Sequence, residues 1–107
     1  MGHLQYGAHD YSFDDRVLAH LKNAIGVKLR KKESFYLSWS KTNEESSGRL
    51  SIWLSPAANL VFAFAGGRPP KLNPTWLKVL AATSNTPRGM VVVSEDEAES
   101  YAKNHQL

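Results

Sequence analysis

The strongest constraint on the fold is an alternation of apolar with polar or small side chains in the middle of the chain. It runs through three consecutive segments, residues 34–41, 49–55 and 60–65. Because successive side chains of a strand point to opposite faces, each segment is predicted to form a strand with one apolar face. The two short loops between them, 42–48 and 56–59, favour antiparallel neighbours. The pattern therefore predicts a three-stranded meander.

The register of this meander follows from matching the apolar faces, since a shift of one residue would turn every side chain over. It sets Phe35 opposite Leu54, and Leu54 opposite Leu60. Nine large side chains share the apolar face: Phe35, Leu37, Trp39, Leu50, Ile52, Leu54, Leu60, Phe62 and Phe64. The other face carries small residues, two aromatics and one arginine: Tyr36, Ser38, Ser40, Arg49, Ser51, Trp53, Val61, Ala63 and Ala65.

Helices are predicted on either side of the meander. Apolar residues recur at helical spacing over residues 14–32, and this helix is the expected cover for the apolar face. Asn73 followed by Pro74 is typical of a helix start, so a second helix begins there. A hairpin over residues 3–13 and a short strand at 90–93 complete the pattern.

These elements define the fold class, which is α+β in the order ββαβββαβ. An antiparallel sheet of the N-terminal hairpin, the meander and the C-terminal strand is predicted to be covered on one face by two helices. Residues 1–94 are expected to form a single domain, the usual unit for this length. The acidic residues 95–107 are expected to form a frayed tail, because they offer little to pack with.

The composition predicts a cytoplasmic protein. There are no cysteines, which excludes disulfides and thiolate metal sites. The longest unbroken apolar run, residues 60–65, is far shorter than the roughly 20 residues that a membrane span needs. The first residues lack the basic and apolar regions of a signal peptide.

Charge is unevenly distributed along the chain. Residues 1–93 carry 12 basic and 6 acidic side chains, whereas the residues after Val93 carry four acidic side chains and one basic. A basic body with a net charge of +6 and an acidic tail of −3 favour an anionic partner. An ordinary soluble domain with a basic isoelectric point is the alternative.

No residue pattern indicates catalysis. Asp14-Asp15 is typical of a helix start. Gly66-Gly67 is followed by Arg-Pro-Pro, which indicates a turn and not a phosphate-binding loop. The histidines are not at metal-ligand spacing: His3, His9, His20 and His105. We therefore expect a binding role, with no catalytic residue, metal or cofactor.

The outward face of the first helix is the first candidate surface. At about 100° per residue, His20 is predicted to lie about 140° from the apolar Ile25, and so to face solvent. Basic and polar residues share this face or extend it: Arg16, His20, Asn23, Arg30, Lys31 and Lys32. Such a ridge is suited to phosphate contacts. A simple solvated helix face is the alternative.

The outer face of the meander is the second candidate surface. Long charged side chains, the usual residues of a solvated sheet, are missing from it. Tyr36 and Trp53 are suited to stacking on bases while Arg49 meets phosphate. Small residues would equally permit a second copy to pack on this face. A third interpretation is that Tyr36 and Trp53 form a cross-strand pair that only stabilises the hairpin, or that another part of the chain covers this face.

Several short motifs occur in a definite order along the chain: Asp14-Asp15-Arg16-Val17-Leu18-Ala19-His20-Leu21, Lys28-Leu29-Arg30, Glu33-Ser34-Phe35, Ser38-Trp39, Gly48-Arg49, Ile52-Trp53-Leu54, Asn73, Trp76-Leu77 and Val91-Val92-Val93. In this order they resemble a family of small actinobacterial and actinophage proteins of unknown function. The resemblance covers nearly the whole chain up to Glu95. Members often carry the name ATP-dependent DNA ligase.

This resemblance implies an actinobacterial or actinophage source and a cytoplasmic setting. A ligase adenylation domain needs a nucleophilic lysine in a Lys-x-Asp-Gly motif, which this sequence lacks, and also a longer chain. The sequence differs from the family pattern at Ser55, where many members have a histidine before the proline. The resemblance therefore implies no mechanism.

The leading hypothesis is a small non-enzymatic module that binds DNA or RNA through the basic helix face and the outer sheet face. Its predicted contact residues are Arg16, His20, Arg30, Lys31, Lys32, Tyr36, Arg49 and Trp53. The alternative is a protein-interaction or homodimerisation module that uses the outer sheet face. A DNA-ligase-related activity is a distant third.

Overall fold

Two three-stranded sheets form the β structure of residues 1–42 and 47–107, the part of the chain that the computed structural model describes. Sheet A has the strand order β2-β1-β5 and sheet B the order β4-β3-β6. The elements in chain order are β1 (Gly2–Tyr6), β2 (His9–Phe13), α1 (Asp15–Arg30), β3 (Phe35–Thr42), β4 (Ser47–Leu54), β5 (Leu60–Ala63), α2 (Pro74–Ser84), β6 (Met90–Val91) and α3 (Glu95–His105). The predicted α+β class is confirmed, but the single large sheet is wrong.

The predicted register of β3 and β4 is confirmed. The two strands pair antiparallel from Phe35 opposite Leu54 to Thr42 opposite Ser47. Leu37 and Leu54 are fully buried, so the apolar face of the alternation faces the core. The predicted loop 42–48 falls mainly on residues 43–46, which lie outside the described part of the chain.

The predicted pairing of β5 with β4 is wrong. β5 pairs antiparallel with β1, where Phe62 lies opposite Leu4. β1 also alternates and buries Leu4 completely, so it offers β5 an equally apolar face. The Tyr6 hydroxyl at the end of β1 donates to the Trp53 carbonyl oxygen at 2.6 Å, which ties the two sheets together here. Val61, which was expected beside Trp53, therefore lies in the other sheet.

Both sheets and the helices share one core. α1 lies closest to β1, while α2 lies closest to β6 and β3, so the second helix covers sheet B together with the expected first helix. Trp39 of β3 meets the rings of Tyr11 and Phe13 edge to face, with ring centroids 5.1 and 5.3 Å apart. These aromatic contacts pack sheet B against sheet A.

The predicted C-terminal strand is confirmed as β6, but it runs parallel to β3 and makes sheet B mixed. Gly89 immediately precedes it with a φ of +81°, and a Cβ there would collide with the backbone of Tyr36. Only glycine allows this conformation and this approach together. Gly89 therefore sets how closely the 85–89 turn lies against β3.

The expectation of a frayed acidic tail is wrong, because residues 95–105 form α3. Ser94 and Glu97 make a capping box, in which each side chain accepts from the backbone N–H of the other at 3.1 and 2.9 Å. Ala98 and Ala102 are buried where α3 packs on α2. Two small side chains one turn apart let the helices approach closely. Among the described helices, none is both long and apolar enough to span a membrane.

Candidate functional site

The outer face of sheet B presents three cross-strand rows: an exposed aromatic pair, a pair of serines, and a serine paired with an arginine. We define this outer face by six residues on β3 and β4: Tyr36, Ser38, Ser40, Arg49, Ser51 and Trp53. Tyr36 pairs with Trp53, and Ser40 with Arg49, as predicted. The small residues expected from β5 are absent from this face because β5 belongs to sheet A.

Tyr36 and Trp53 form an aromatic pair at one end of the outer face. Their ring centroids are 5.0 Å apart and their planes meet at 67°, an edge-to-face contact. Tyr36 is 46% exposed and Trp53 is 49% exposed. The interpretation that the chain itself covers this face is therefore wrong, since about half of each side chain is open to solvent. Two large rings are held in place by each other and remain accessible.

A chain of hydroxyl groups connects the middle of the outer face to the turn before β6. The Ser38 hydroxyl donates to the Arg88 carbonyl oxygen at 2.8 Å, and the Ser51 hydroxyl lies 2.8 Å from that of Ser38. Since Ser38 donates to Arg88, Ser51 donates to Ser38. The turn therefore runs along the edge of the face.

A groove of about 930 Å³ lies along this junction. Arg49 and Arg88 line it together with Tyr36, and Glu97 is the acidic residue among its described lining residues. The Glu97 carboxylate already accepts from the Ser94 backbone N–H at 2.9 Å. The groove thus combines two guanidinium groups, an aromatic ring and serine hydroxyls.

Arg16 is bound within the protein. Its Nε and Nη2 donate to the two carboxylate oxygens of Glu95 at 2.9 and 2.7 Å, and its Nη1 donates to the Lys71 carbonyl oxygen at 2.9 Å. The Arg16 hydrogen bonds, followed by one from the Asn73 side chain, lower the pKa of Glu95 from 4.5 to about 2. This network joins α1 to α3, so the Arg16 guanidinium is occupied by internal partners.

His20 does not face solvent, and its predicted orientation is wrong. The side chain is completely buried and stacks on Trp76, with ring centroids 4.1 Å apart. Its Nδ1 lies 2.7 Å from the Arg16 carbonyl oxygen, and its Nε2 accepts from the Asn73 backbone N–H at 2.8 Å. These partners select the neutral tautomer with the proton on Nδ1. The apolar residues of the sequence indicated only one buried face of α1. The face that carries His20 is also buried, because α2 packs against it.

The remaining predicted residues of the basic helix face are exposed at the end of α1: Arg30, Lys31 and Lys32. Lys32 has a φ of +61° and closes the turn that leads into β3. Lys32 lies four residues before Tyr36 in the sequence. The structure keeps these three cations at the surface and removes Arg16 and His20 from the predicted set.

A second concave site was not indicated by the sequence. It is a cleft of about 680 Å³ between α1 and the segment that includes and follows β5, called here the α1–β5 cleft. Its lining includes two half-buried phenylalanines and three basic residues: Phe62, Phe64, Lys22, Arg30 and Arg68. The alternation assigned Phe62 and Phe64 to the core. A glycine in the middle of a predicted helix, Gly26, was the feature of the sequence that could have indicated an uncovered face of α1.

Metal ligands are not clustered in the described ranges 1–42 and 47–107, where no group of three or more suitable side chains occurs. Residues 1–95 match the family model of a domain of unknown function, DUF7882. The chain belongs to this family. No curated protein and no solved structure matches it.

Proposed function

We propose that this protein binds single-stranded nucleic acid on the outer face of sheet B. The observation that carries the proposal is the half-exposed pair of Tyr36 and Trp53 on the same face as Arg49. Aromatic rings on an open sheet provide stacking surfaces for unpaired bases, and cations beside them meet the phosphates.

Stacking would supply most of the affinity at the aromatic end of the face. A base stacked on an aromatic side chain contributes about 1–3 kcal/mol. The edge-to-face contact restricts both rings before any ligand binds, so little side-chain entropy remains to be lost. Trp53 and Tyr36 are therefore the proposed anchors for bases.

Phosphates would be met along the strand and at its edge. Arg49 lies four residues from Trp53 on β4, a distance of about 13 Å at the usual rise of a strand. Arg88 lines the adjoining groove. Lys31 and Lys32 are exposed shortly before β3 and add positive charge of the kind that supports non-specific binding. Arg16 and His20 take no part, because their polar groups bind within the protein.

The proposed role is binding without chemistry, in the cytoplasm. The support for the cytoplasm is the absence of cysteine from the sequence. The support for binding without chemistry is the net charge of +6 over residues 1–93 and the lack of a Lys-x-Asp-Gly motif anywhere in the sequence. The ligase activity named for proteins that the chain resembles is therefore not transferred to this chain. Incubation with ATP should leave no covalent adenylate on the purified protein.

Fluorescence anisotropy of a labelled oligonucleotide of about 12 nucleotides tests the proposal. Trp53→Ala should weaken binding about tenfold, the loss of one stacked base. Val61→Ala is the matched control, because Val61 is 46% exposed, against 49% for Trp53, but lies on sheet A. Its affinity should equal that of the native protein.

The salt dependence of binding separates the contribution of phosphate contacts from that of base stacking. Raising salt from about 50 to 200 mM should weaken binding by the native protein, and Arg49→Ala should reduce the salt slope by about one. Lys78→Ala, an exposed lysine on α2, should leave the slope unchanged. Absence of binding at the lower salt concentration would contradict the proposal.

A second copy of the chain is the competing occupant of the outer face. Light scattering of the protein without nucleic acid distinguishes the two. The proposal predicts a monomer, whereas a stable dimer that Trp53→Arg dissociates would assign this face to homodimerisation.

A further inference from the structure

The α1–β5 cleft is walled by one uncovered face of α1. Ala19, Lys22, Gly26 and Arg30 line it, at spacings of three to four residues that place them on the same side of the helix. A Cβ on Gly26 would meet nothing within 4 Å. Glycine in the middle of a helix costs about 1 kcal/mol relative to alanine. Gly26 is thus an unfavourable residue for the interior of a helix. Because it has no side chain, it leaves the cleft open at this point.

The opposite wall is held in place by α1 itself. The Asp15 carboxylate accepts from the backbone N–H of Ala65 at 3.1 Å and of Gly66 at 2.8 Å. These bonds, with the one from Gly66 the larger cause, hold the pKa of Asp15 below its usual value. The turn after β5 is therefore fixed to the start of α1, and the cleft is formed before any ligand arrives.

The lining combines aromatic surface with positive charge. Phe62 and Phe64 are half-buried, and the Lys22 ammonium lies 5.8 Å from the centre of the Phe64 ring. Arg30 and Arg68 add two guanidinium groups, and none of the described lining residues is acidic. None of these three cations forms an ion pair within residues 1–42 and 47–107.

We propose that the α1–β5 cleft binds a small aromatic anion, with a flat ring system against Phe62 and Phe64 and a phosphate- or sulfonate-type group held by Lys22, Arg30 and Arg68. The volume of about 680 Å³ lies within the range of small-molecule sites, about 300–1,000 Å³. A purely apolar ligand would leave the cations unused, and an inorganic anion would leave the rings exposed. The two features together define the ligand class.

Anilinonaphthalene sulfonate and its neutral counterpart N-phenylnaphthylamine are the probes for this site. Both carry the same flat rings and brighten in apolar surroundings, but only the first carries a negative charge. The folded protein should bind the sulfonate at least about tenfold more tightly, the difference expected for one charge-assisted contact. Equal binding of both probes, or binding of neither, would overturn the proposal.

Gly26→Leu tests the location. Leucine favours the helix over glycine by about 1 kcal/mol, so the variant should be at least as stable as the native protein while its side chain occupies the cleft. Binding of the sulfonate should be abolished, and a variant that is stable by thermal melting but still binds it would contradict the assignment. Arg68→Ala should weaken binding about tenfold, the loss of one charge-assisted contact, whereas the control Lys78→Ala should have no effect.

The site on sheet B serves as an internal control, because the two proposals are independent. Trp53→Ala should bind the sulfonate with native affinity. Loss of sulfonate binding in this variant would place the probe on the outer face of sheet B and overturn the cleft assignment. Failure of the oligonucleotide to bind would leave the cleft result unaffected.

Discussion

At the scale of single residues, His20 makes two hydrogen bonds and one ring contact inside the protein. The side chain connects the Arg16 carbonyl of α1 to the Asn73 backbone N–H that precedes α2, and it stacks on Trp76. Removing it would leave a cavity and an unpaired N–H.

We predict that His20→Ala lowers the free energy of unfolding by about 3 kcal/mol, from the lost packing and the unsatisfied donor. Denaturant unfolding measures this change. Asn23→Ala, an exposed residue on the same helix, should change stability by less than about 0.5 kcal/mol. A neutral effect at His20 would mean that its side chain is at the surface after all.

Gly89 is a second position where one residue decides the local geometry. Gly89→Ala should cost about 2–3 kcal/mol, because alanine is strained at a φ of +81° and its Cβ would press on the backbone of Tyr36. Gly67→Ala, which has open space around its Cβ, is the control and should be close to neutral. Thermal melts of both variants would check this, and equal melting temperatures would contradict the contact with Tyr36.

At the scale of elements, the sequence predicted β3 and β4 correctly because alternation and a short connection act together. Phe35 can reach Leu54 in only one register that buries both. Alternation alone does not identify a partner strand, and this is why β5 was misplaced. Leu60 and Phe62 bury equally well beside β1, which comes earlier in the chain.

Helix α3 shows a different limit of sequence reasoning. Its buried residues are two alanines, Ala98 and Ala102, and these give too weak an apolar stripe to separate a packed helix from a frayed tail. The capping box of Ser94 and Glu97 was visible in the sequence and could have indicated the helix start.

Acid should weaken the attachment of α3 to α1. Since Arg16 and Asn73 lower the pKa of Glu95 from 4.5 to about 2, the unfolded chain takes up the proton first as pH falls. The stabilisation by Glu95 is therefore complete above about pH 4.5 and is lost as pH falls towards 2.

Glu95→Gln should remove this dependence. The stability difference between the native protein and the variant should be largest above pH 4.5 and shrink towards pH 2. Asp96→Asn, which removes a carboxylate one residue along α3 but leaves the contacts of Glu95 in place, should keep the native protein's loss of stability between pH 4.5 and 2. Urea unfolding at several pH values would check this, and a difference that stays constant with pH would contradict the ion pair.

At the scale of the whole molecule, part of the candidate site followed from the sequence and part did not. The outer placement of Tyr36, Arg49 and Trp53 depended only on the register of two neighbouring strands, which the alternation determines. The burial of His20 depended on where α2 packs. The α1–β5 cleft depended on which strand β5 joins. Neither the burial of His20 nor this cleft can be predicted from the periodicity of one element.

The most direct test of the central claim is the set of backbone amide shifts that change when isotope-labelled protein is titrated with a single-stranded oligonucleotide at low salt. The proposal predicts that the changes concentrate on Tyr36, Ser38, Ser51 and Trp53 and leave the hairpin of β1 and β2 unperturbed. Changes confined to sheet A or to the α1–β5 cleft, or no changes at all, would contradict it.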